Sequence, residues 1–329
     1  MNQRSFYSAL SISALMVILL ACFLGSTPIS PQRLLAAMVK AGPVGDQLVF
    51  WEIRLPRALA AFLVGACLGA SGAALQALLR NPLAEPGVLG VSACSALAAT
   101  LALFYGAAII TPIALPIAAI LGALFATGLL AFIAMRISSI LTLILIGVAL
   151  SSFAGALMAL LLNLAPNPFT LSDLITWTLG SVANRSVDDL LFVLPYVLLG
   201  AGCLFVTRRA LTALSLGEET AFALGVDLQR TRLLVILGAG LLTGAAVATA
   251  GAVGFVGVIA PHIVRPFVNY DPARTILPSA LLGGILLVGA DIGVRLIPAP
   301  TELRLGVVAA LIGAPVFAWI AAQRRVTHD

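Results

Sequence analysis

The chain has 329 residues, of which 61% are hydrophobic and only 9% charged, and it carries a net charge of +5. Its mean hydropathy is +1.13. A soluble domain covers its surface with roughly a quarter charged residues, so the composition excludes a soluble globular fold and places the chain in a bilayer.

A helix needs about 20 apolar residues at 1.5 Å each to cross a hydrocarbon layer about 30 Å thick. Cutting the chain at its charges gives the spans. The first is 6–25. "LLAC" at its end resembles a lipoprotein cleavage site, but the run is long enough to span and more spans follow, which favours an uncleaved anchor. The second lies between Arg57 and Arg80. The charge-free run 86–135 must hold two helices, broken within 106–116, where Pro112 and Pro116 each remove a backbone donor. The run 137–172 is one span ending near Asn163, followed by the turn-forming "APNP". Next come 190–207, 233–264, 275–290 and 305–323.

The run 233–264 would reach roughly 48 Å, too long for one crossing and too short for two. One helix here must be curtailed, and Gly251, Gly254 and Gly257 followed by Pro261-His262 mark the weak point. Two readings stay open for it: a kinked packing helix, or a moving element that lines a pathway. The total is about ten spans. The runs lack strand alternation, so the expected fold is an all-α integral membrane protein, a single transmembrane domain over residues 1–329.

Counting Lys and Arg by loop, with ten spans and a cytoplasmic amino terminus, puts eleven inside and seven outside. This agrees with the positive-inside rule and leaves both termini cytoplasmic. Cys22, Cys67, Cys94 and Cys203 lie inside apolar runs without CxxC spacing and read as packing residues, so no disulfide or metal is expected. His262 has no second ligand at metal-binding spacing. Gly65/Gly69, Gly240/Gly244 and Gly289/Gly293 are small residues four apart, which let helix backbones approach closely in lipid.

Among the loops, 208–232 stands out. Its Glu218–Leu224 core has the makings of a short helix closed by Gly225. It reads either as an ordinary connector or as an ordered helix that receives a push from a soluble partner.

The chemistry that is missing is also informative. No GxxxxGK[ST] is present and the sole lysine is Lys40, so the chain does not hydrolyse ATP; it also lacks HExxH and GxSxG. An ion-coupled carrier places ionisable groups at mid-membrane. Asp291 is the one near-candidate, and Arg295 four residues on makes it an ion-pair partner rather than a proton site. A passive frame needing an external energy source remains.

Four stretches, in order, carry a resemblance: "WEIRLPRALAAFLVGACLGASGAALQALLRNPLAEPGVLGVS", "LGEETAFALGVD", "GAVGFVGVIAPHIVR" and "GVVAALIGAPVFAWI". Together they resemble the permease subunits of bacterial ABC importers for iron chelates (ferric siderophores, haem) and cobalamin, over about 49–324. The resemblance implies a multi-pass inner-membrane homodimer of ten-helix subunits, with cytoplasmic ATP-binding subunits below and a periplasmic substrate-binding protein above. It implies no cofactor, no catalytic residues and no nucleic-acid partner. It places the 81–87 turn on the cytoplasmic side, with Arg80 and Glu85 at the water boundary and the small residues Gly90, Ser92, Ala93 and Ser95 beside the central pathway.

On the same basis, Arg54, Arg57 and Arg295 fall where cobalamin permeases receive acidic residues of the docked binding protein; snorkelling at the interface is the other reading. Gly217, Glu218, Glu219, Thr220, Ala221, Phe222, Ala223, Leu224 and Gly225 resemble the coupling helix seated in the ATPase. Ser138, Ser139, Ile140 and Leu141 lie at the cytoplasmic gate, more apolar here than in the cobalamin relatives. The implied function is translocation of an iron chelate, with cobalamin as the alternative cargo. An ion-coupled secondary carrier is the alternative of a different class.

Overall fold

The computed structural model describes residues 3–25, 27–111, 113–137, 139–297 and 302–323. Fifteen α-helices occur among them: α1 (Gln3–Phe23), α2 (Pro31–Met38), α3 (Val44–Leu48), α4 (Leu55–Leu78), α5 (Val91–Phe104), α6 (Ala107–Ile110), α7 (Ala114–Arg136), α8 (Ile140–Asn163), α9 (Pro168–Thr178), α10 (Val187–Leu214), α11 (Glu218–Ala223), α12 (Leu228–Ala250), α13 (Val256–Val264), α14 (Pro272–Leu296) and α15 (Leu305–Gln323). A π-helical turn, Val49–Arg54, joins α3 to α4 without interruption. Among the described residues, seven helices are long and apolar enough to cross a membrane, and three shorter apolar ones accompany them: α5, α15, and α13 with its 3-10 extension to Val268.

The helix ends follow local chemistry. Asn167 accepts from the Thr170 N–H at 2.9 Å ahead of Pro168 and starts α9. Ser186 and Asp189 form a reciprocal capping box that starts α10. Asp227 and Asp271 cap α12 and α14 through the N–H groups of Arg230 and Ala273. These side chains satisfy donors that a helix start leaves orphaned. Two elements differ from the sequence expectation: α9 occupies a stretch read as loop, and α10 runs seven residues past Thr207.

α4 forms the centre, packed against α14, α12, α13, α10 and α1. It is buried nearly all round, as is α12, which suits helices shielded by other helices rather than by lipid. Glycine makes this possible. A Cβ at Gly65 or Gly69 would fall on the backbone of Gly283 or Ser279 in α14, and one at Gly240 on the Thr127 side chain of α7. The third pair behaves differently: Gly289 and Gly293 meet nothing and line an open apolar groove of about 500 Å³ between α13, α14 and α15.

Polar contacts tie the helix ends together at two poles. At the α11 pole, the Tyr7 hydroxyl donates to the Arg274 carbonyl at 2.9 Å, Thr212 to Asp271 at 2.7 Å, and Gln229 to the Met135 carbonyl at 3.1 Å. At the opposite pole, arginines gather around the end of α1.

Candidate functional site

The arginine pole holds all three expected docking residues on one face, but their charges are turned inward. Arg54 is 4% exposed. Its guanidinium donates to the carbonyls of Cys22 (3.0 Å), Phe23 (2.9 Å) and Thr27 (2.6 Å). Arg295 donates to Ala21 and Leu24, both at 2.9 Å. Two arginines from different helices thus satisfy the carbonyls that the end of α1 leaves without partners, with their charge at the negative end of its dipole. In the isolated chain their guanidinium groups are turned to α1 rather than to the surface.

Arg57 instead grips Asp291, Nε at 3.0 Å and Nη2 at 2.8 Å to Oδ1, and its Nη2 also meets Glu302. The expected Asp291–Arg295 pair is present at 3.1 Å. Asp291 is fully buried, so it sits deeper than a helix-end residue and needs both cations. Arg57, which sequence spacing does not connect to it, is the partner that reasoning missed.

The irregular backbone forms a second centre. α5 spans about 21 Å and α13 about 14 Å at 1.5 Å per residue, both short of a full crossing. The segments between helices, 79–90 and 251–255, meet where Glu85 reaches Phe255, while Arg80 and Asn81 at the start of the first are exposed. Non-helical backbone at membrane depth is tolerated where protein buries it or a cavity adjoins it. Here a cavity of about 370 Å³ adjoins both segments, opening between Glu85, Ser92, Leu179, Phe255 and Val307, and Gln76 of α4 donates to the Gly257 carbonyl of α13 at 3.0 Å beside it.

Glu85 departs from expectation here. It does not stay at a water boundary but turns inward, and its carboxylate accepts from the Phe255 N–H at 3.1 Å, at the start of α13. Phe255 has φ +67°, a left-handed conformation that costs a bulky residue energy. Gly180 and Gly251 are also left-handed, and the Ser181 N–H bonds the Ala250 carbonyl at 2.7 Å, joining the end of α9 to the break. The expected weak point in 233–264 is thus a real interruption at 251–255, while Pro261 sits within α13 without breaking it.

Of the expected pathway and gate residues, Ser92 lines the cavity. Ser95 does not. It is fully buried and donates to the Ala119 carbonyl at 2.7 Å, holding α5 to α7. Ser139 caps α8 through the Thr142 N–H at 3.2 Å, and Leu141 is exposed. Ser138 and the Ile140 side chain lie outside the described residues.

The 217–225 segment forms α11 with Gly217 before it and Gly225, at φ +79°, after it. Arg232 holds Glu218 at 2.7 Å and Ala221 is buried, which fixes the helix on the body. Phe222 and Leu224, at 73% and 64% exposure, point away from it. Among the described residues, no three His, Cys, Asp or Glu side chains come together to hold a metal ion, and His262 is engaged within the chain.

The profile of the FecCD transport family matches residues 13–323. The chain belongs to this family. It is similar to an uncharacterized ABC transporter permease, YvrB, of Bacillus subtilis strain 168, at 40% identity over 83% of this chain and 78% of the relative. It is also similar to the vitamin B12 import system permease BtuC of Klebsiella pneumoniae (38% identity, 98% and 95% covered) and of Vibrio cholerae (41%, 86% and 85%). Among solved structures, an inward-facing putative metal-chelate type ABC transporter superposes with a TM-score of 0.87 at 31% identity, over 97% of this chain and 99% of that one. This FecCD-family chain is therefore a multi-pass inner-membrane ABC permease subunit, not itself an ATPase. Such a subunit implies ATPase and binding-protein partners.

Proposed function

We propose that the chain is the translocation subunit of an importer that carries an iron chelate, a siderophore or haem complex, from periplasm to cytoplasm. In this reading ten helices span, both termini are cytoplasmic, and two copies form the pathway. The α11 pole faces the cytoplasm, where ATP-binding subunits seat on α11. The arginine pole faces the periplasm and receives the binding protein.

The observation that carries the reading is α11 itself: a helix anchored by Glu218 and Ala221 that offers Phe222 and Leu224 outward, the anatomy of a small apolar plug for a cleft in a soluble partner. Closure of the ATPase pair would move α11 and rock the helices, opening the cavity at the 251–255 break to alternate sides. At the other pole, Arg57 is the docking residue best placed to act, because its Glu302 partner is partly exposed and exchangeable. A carboxylate of the binding protein would take that place with a bidentate bond and set register.

Cobalamin is the second reading of the cargo, favoured by the 38–41% identity to the BtuC permeases. Replacing Phe222 with Asp tests the coupling assignment. Nucleotide-driven uptake should be abolished while the permease still folds, and normal uptake in that variant refutes the assignment.

A further inference from the structure

Beside the arginine pole, a cavity of about 290 Å³ opens between the end of α5, α9, the 181–185 loop and the residues ahead of α15. Its polar lining sets three donor-only side chains beside Thr176, Ser181, Asn184 and Asp173. Arg185 and Arg304 bring two guanidinium groups and Trp177 an indole N–H, with Asp173 the sole carboxylate in the lining. Two of these donors are buried and find no hydrogen-bond partner among the described residues: Nε of Arg185 and Nε1 of Trp177. Buried donors of this kind are rare in folded proteins, and each calls for an acceptor.

The charges nearby do not supply one. Asp189 is the acid that acts on Arg185, and burial outweighs it, holding the guanidinium below its ordinary pKa. Oδ2 of Asp189 is turned to the Ser186 N–H and hydroxyl, at 2.9 and 3.1 Å, in the capping box of α10, and the carboxylate leaves the Arg185 Nε without a hydrogen bond. Among the described residues Arg304 donates to the Thr176 hydroxyl alone, at 3.3 Å, and Asp173 is exposed. The Arg185 guanidinium lies 5.6 Å from the Trp177 ring centroid, so a flat cation rests against an aromatic wall whose own N–H is also unspent.

We propose that this cavity is an oxyanion receptor, taking a carboxylate or phosphate group of a small solute on Arg185, Arg304 and the Trp177 indole. Guanidinium groups hold such anions through charge-assisted, two-toothed hydrogen bonds. Trp177, Ser181 and Ala250 line this cavity while Thr178, Leu179 and Ala252 line the Glu85 cavity, so the same two short backbone stretches separate a solute held here from the space at the 251–255 break. This extends the proposed import function by giving the cargo an anionic group, and it is measured without transport.

The test uses the full chain in detergent, with Trp51 and Trp319 replaced by Phe so that Trp177 is its only tryptophan, excited selectively over tyrosine. Citrate and inorganic phosphate are titrated against sodium chloride at equal ionic strength. The expected result is a saturable fluorescence change with citrate or phosphate, absent with chloride. It should weaken about tenfold in Arg185→Gln, as the loss of a charge-assisted bond implies, and stay unchanged in Lys40→Gln, which removes an exposed cation outside the cavity lining. Arg185→Lys retains the charge and should bind with intermediate strength, which keeps the test open if Arg185→Gln fails to fold. Absence of a response in folded protein overturns the proposal. So does a response untouched in both Arg185 variants, or one that appears only when the binding protein is added, since that would make the acceptor a protein carboxylate. ATP-dependent uptake is read separately, so failure here leaves the importer reading standing.

Discussion

Arg57 on α4 and Asp291 on α14, 234 positions apart, are joined by a two-toothed ion pair closed at 2.8 and 3.0 Å. With Arg295 on the second oxygen, one fully buried carboxylate balances two guanidinium groups that are themselves 12% and 6% exposed. An acid in lipid commonly suggests proton coupling. Here it is neutralised from both sides and pins two central helices.

Asp291→Asn should therefore leave Arg295 without its carboxylate and Arg57 with only the partly exposed Glu302. Breaking a buried pair from one side costs about 3–5 kcal/mol, and the purified permease should lose thermal stability accordingly. Removing Arg57 together with Asp291 should cost less than removing Asp291 alone, a difference that a double-mutant cycle on melting temperature reads directly.

The glycine pairs divide. Gly65→Val puts atoms onto the α14 backbone, where neither helix has a flexible side chain to yield; overpacking costs about 1–3 kcal/mol or more. Gly289→Ala meets nothing, so its melting temperature should match the parent.

Glu85→Ala should leave the Phe255 N–H without its acceptor at the start of α13. An orphaned buried donor costs about 1–3 kcal/mol, and the 251–255 break should exchange amide hydrogen faster than α12. Glu85→Gln keeps an acceptor and should recover most of the protection. Equal exchange in both variants would detach Glu85 from the break.

Docking is tested at Arg57 rather than at Arg54. Arg54→Gln strips the carbonyls of Cys22, Phe23 and Thr27 of their donor and should lower stability first. In Glu302→Gln, Arg57 loses its exchangeable partner but keeps Asp291. Affinity for the binding protein should rise, as measured by surface capture of the reconstituted permease.

Much of the fold was legible because lipid imposes a length rule: charge-free runs located the long helices, and glycine located the 251–255 break. Asp291 and Arg295 could be paired because they stand four apart on one helix. Arg57 could not, since only the packing of α4 on α14 brings it there. Helix α9 carried a readable signal, an Asn cap before a proline at the first helical position, but the same "APNP" also reads as a turn. Glu85 next to two prolines looked like a surface turn; whether its carboxylate faces water or a helix start depends on where α13 begins. The contacts of Arg54 and Arg295 to the α1 carbonyls were not legible, because nothing in their spacing reveals the helix end they cap.

The central claim is that this FecCD-family chain is a conduit driven by a separate ATPase. The most direct measurement is solute uptake into proteoliposomes holding the permease alone, or the permease with its ATPase and binding protein. The account predicts accumulation only in the complete assembly supplied with ATP, and none from an imposed proton or sodium gradient. Gradient-driven accumulation by the permease alone would contradict it.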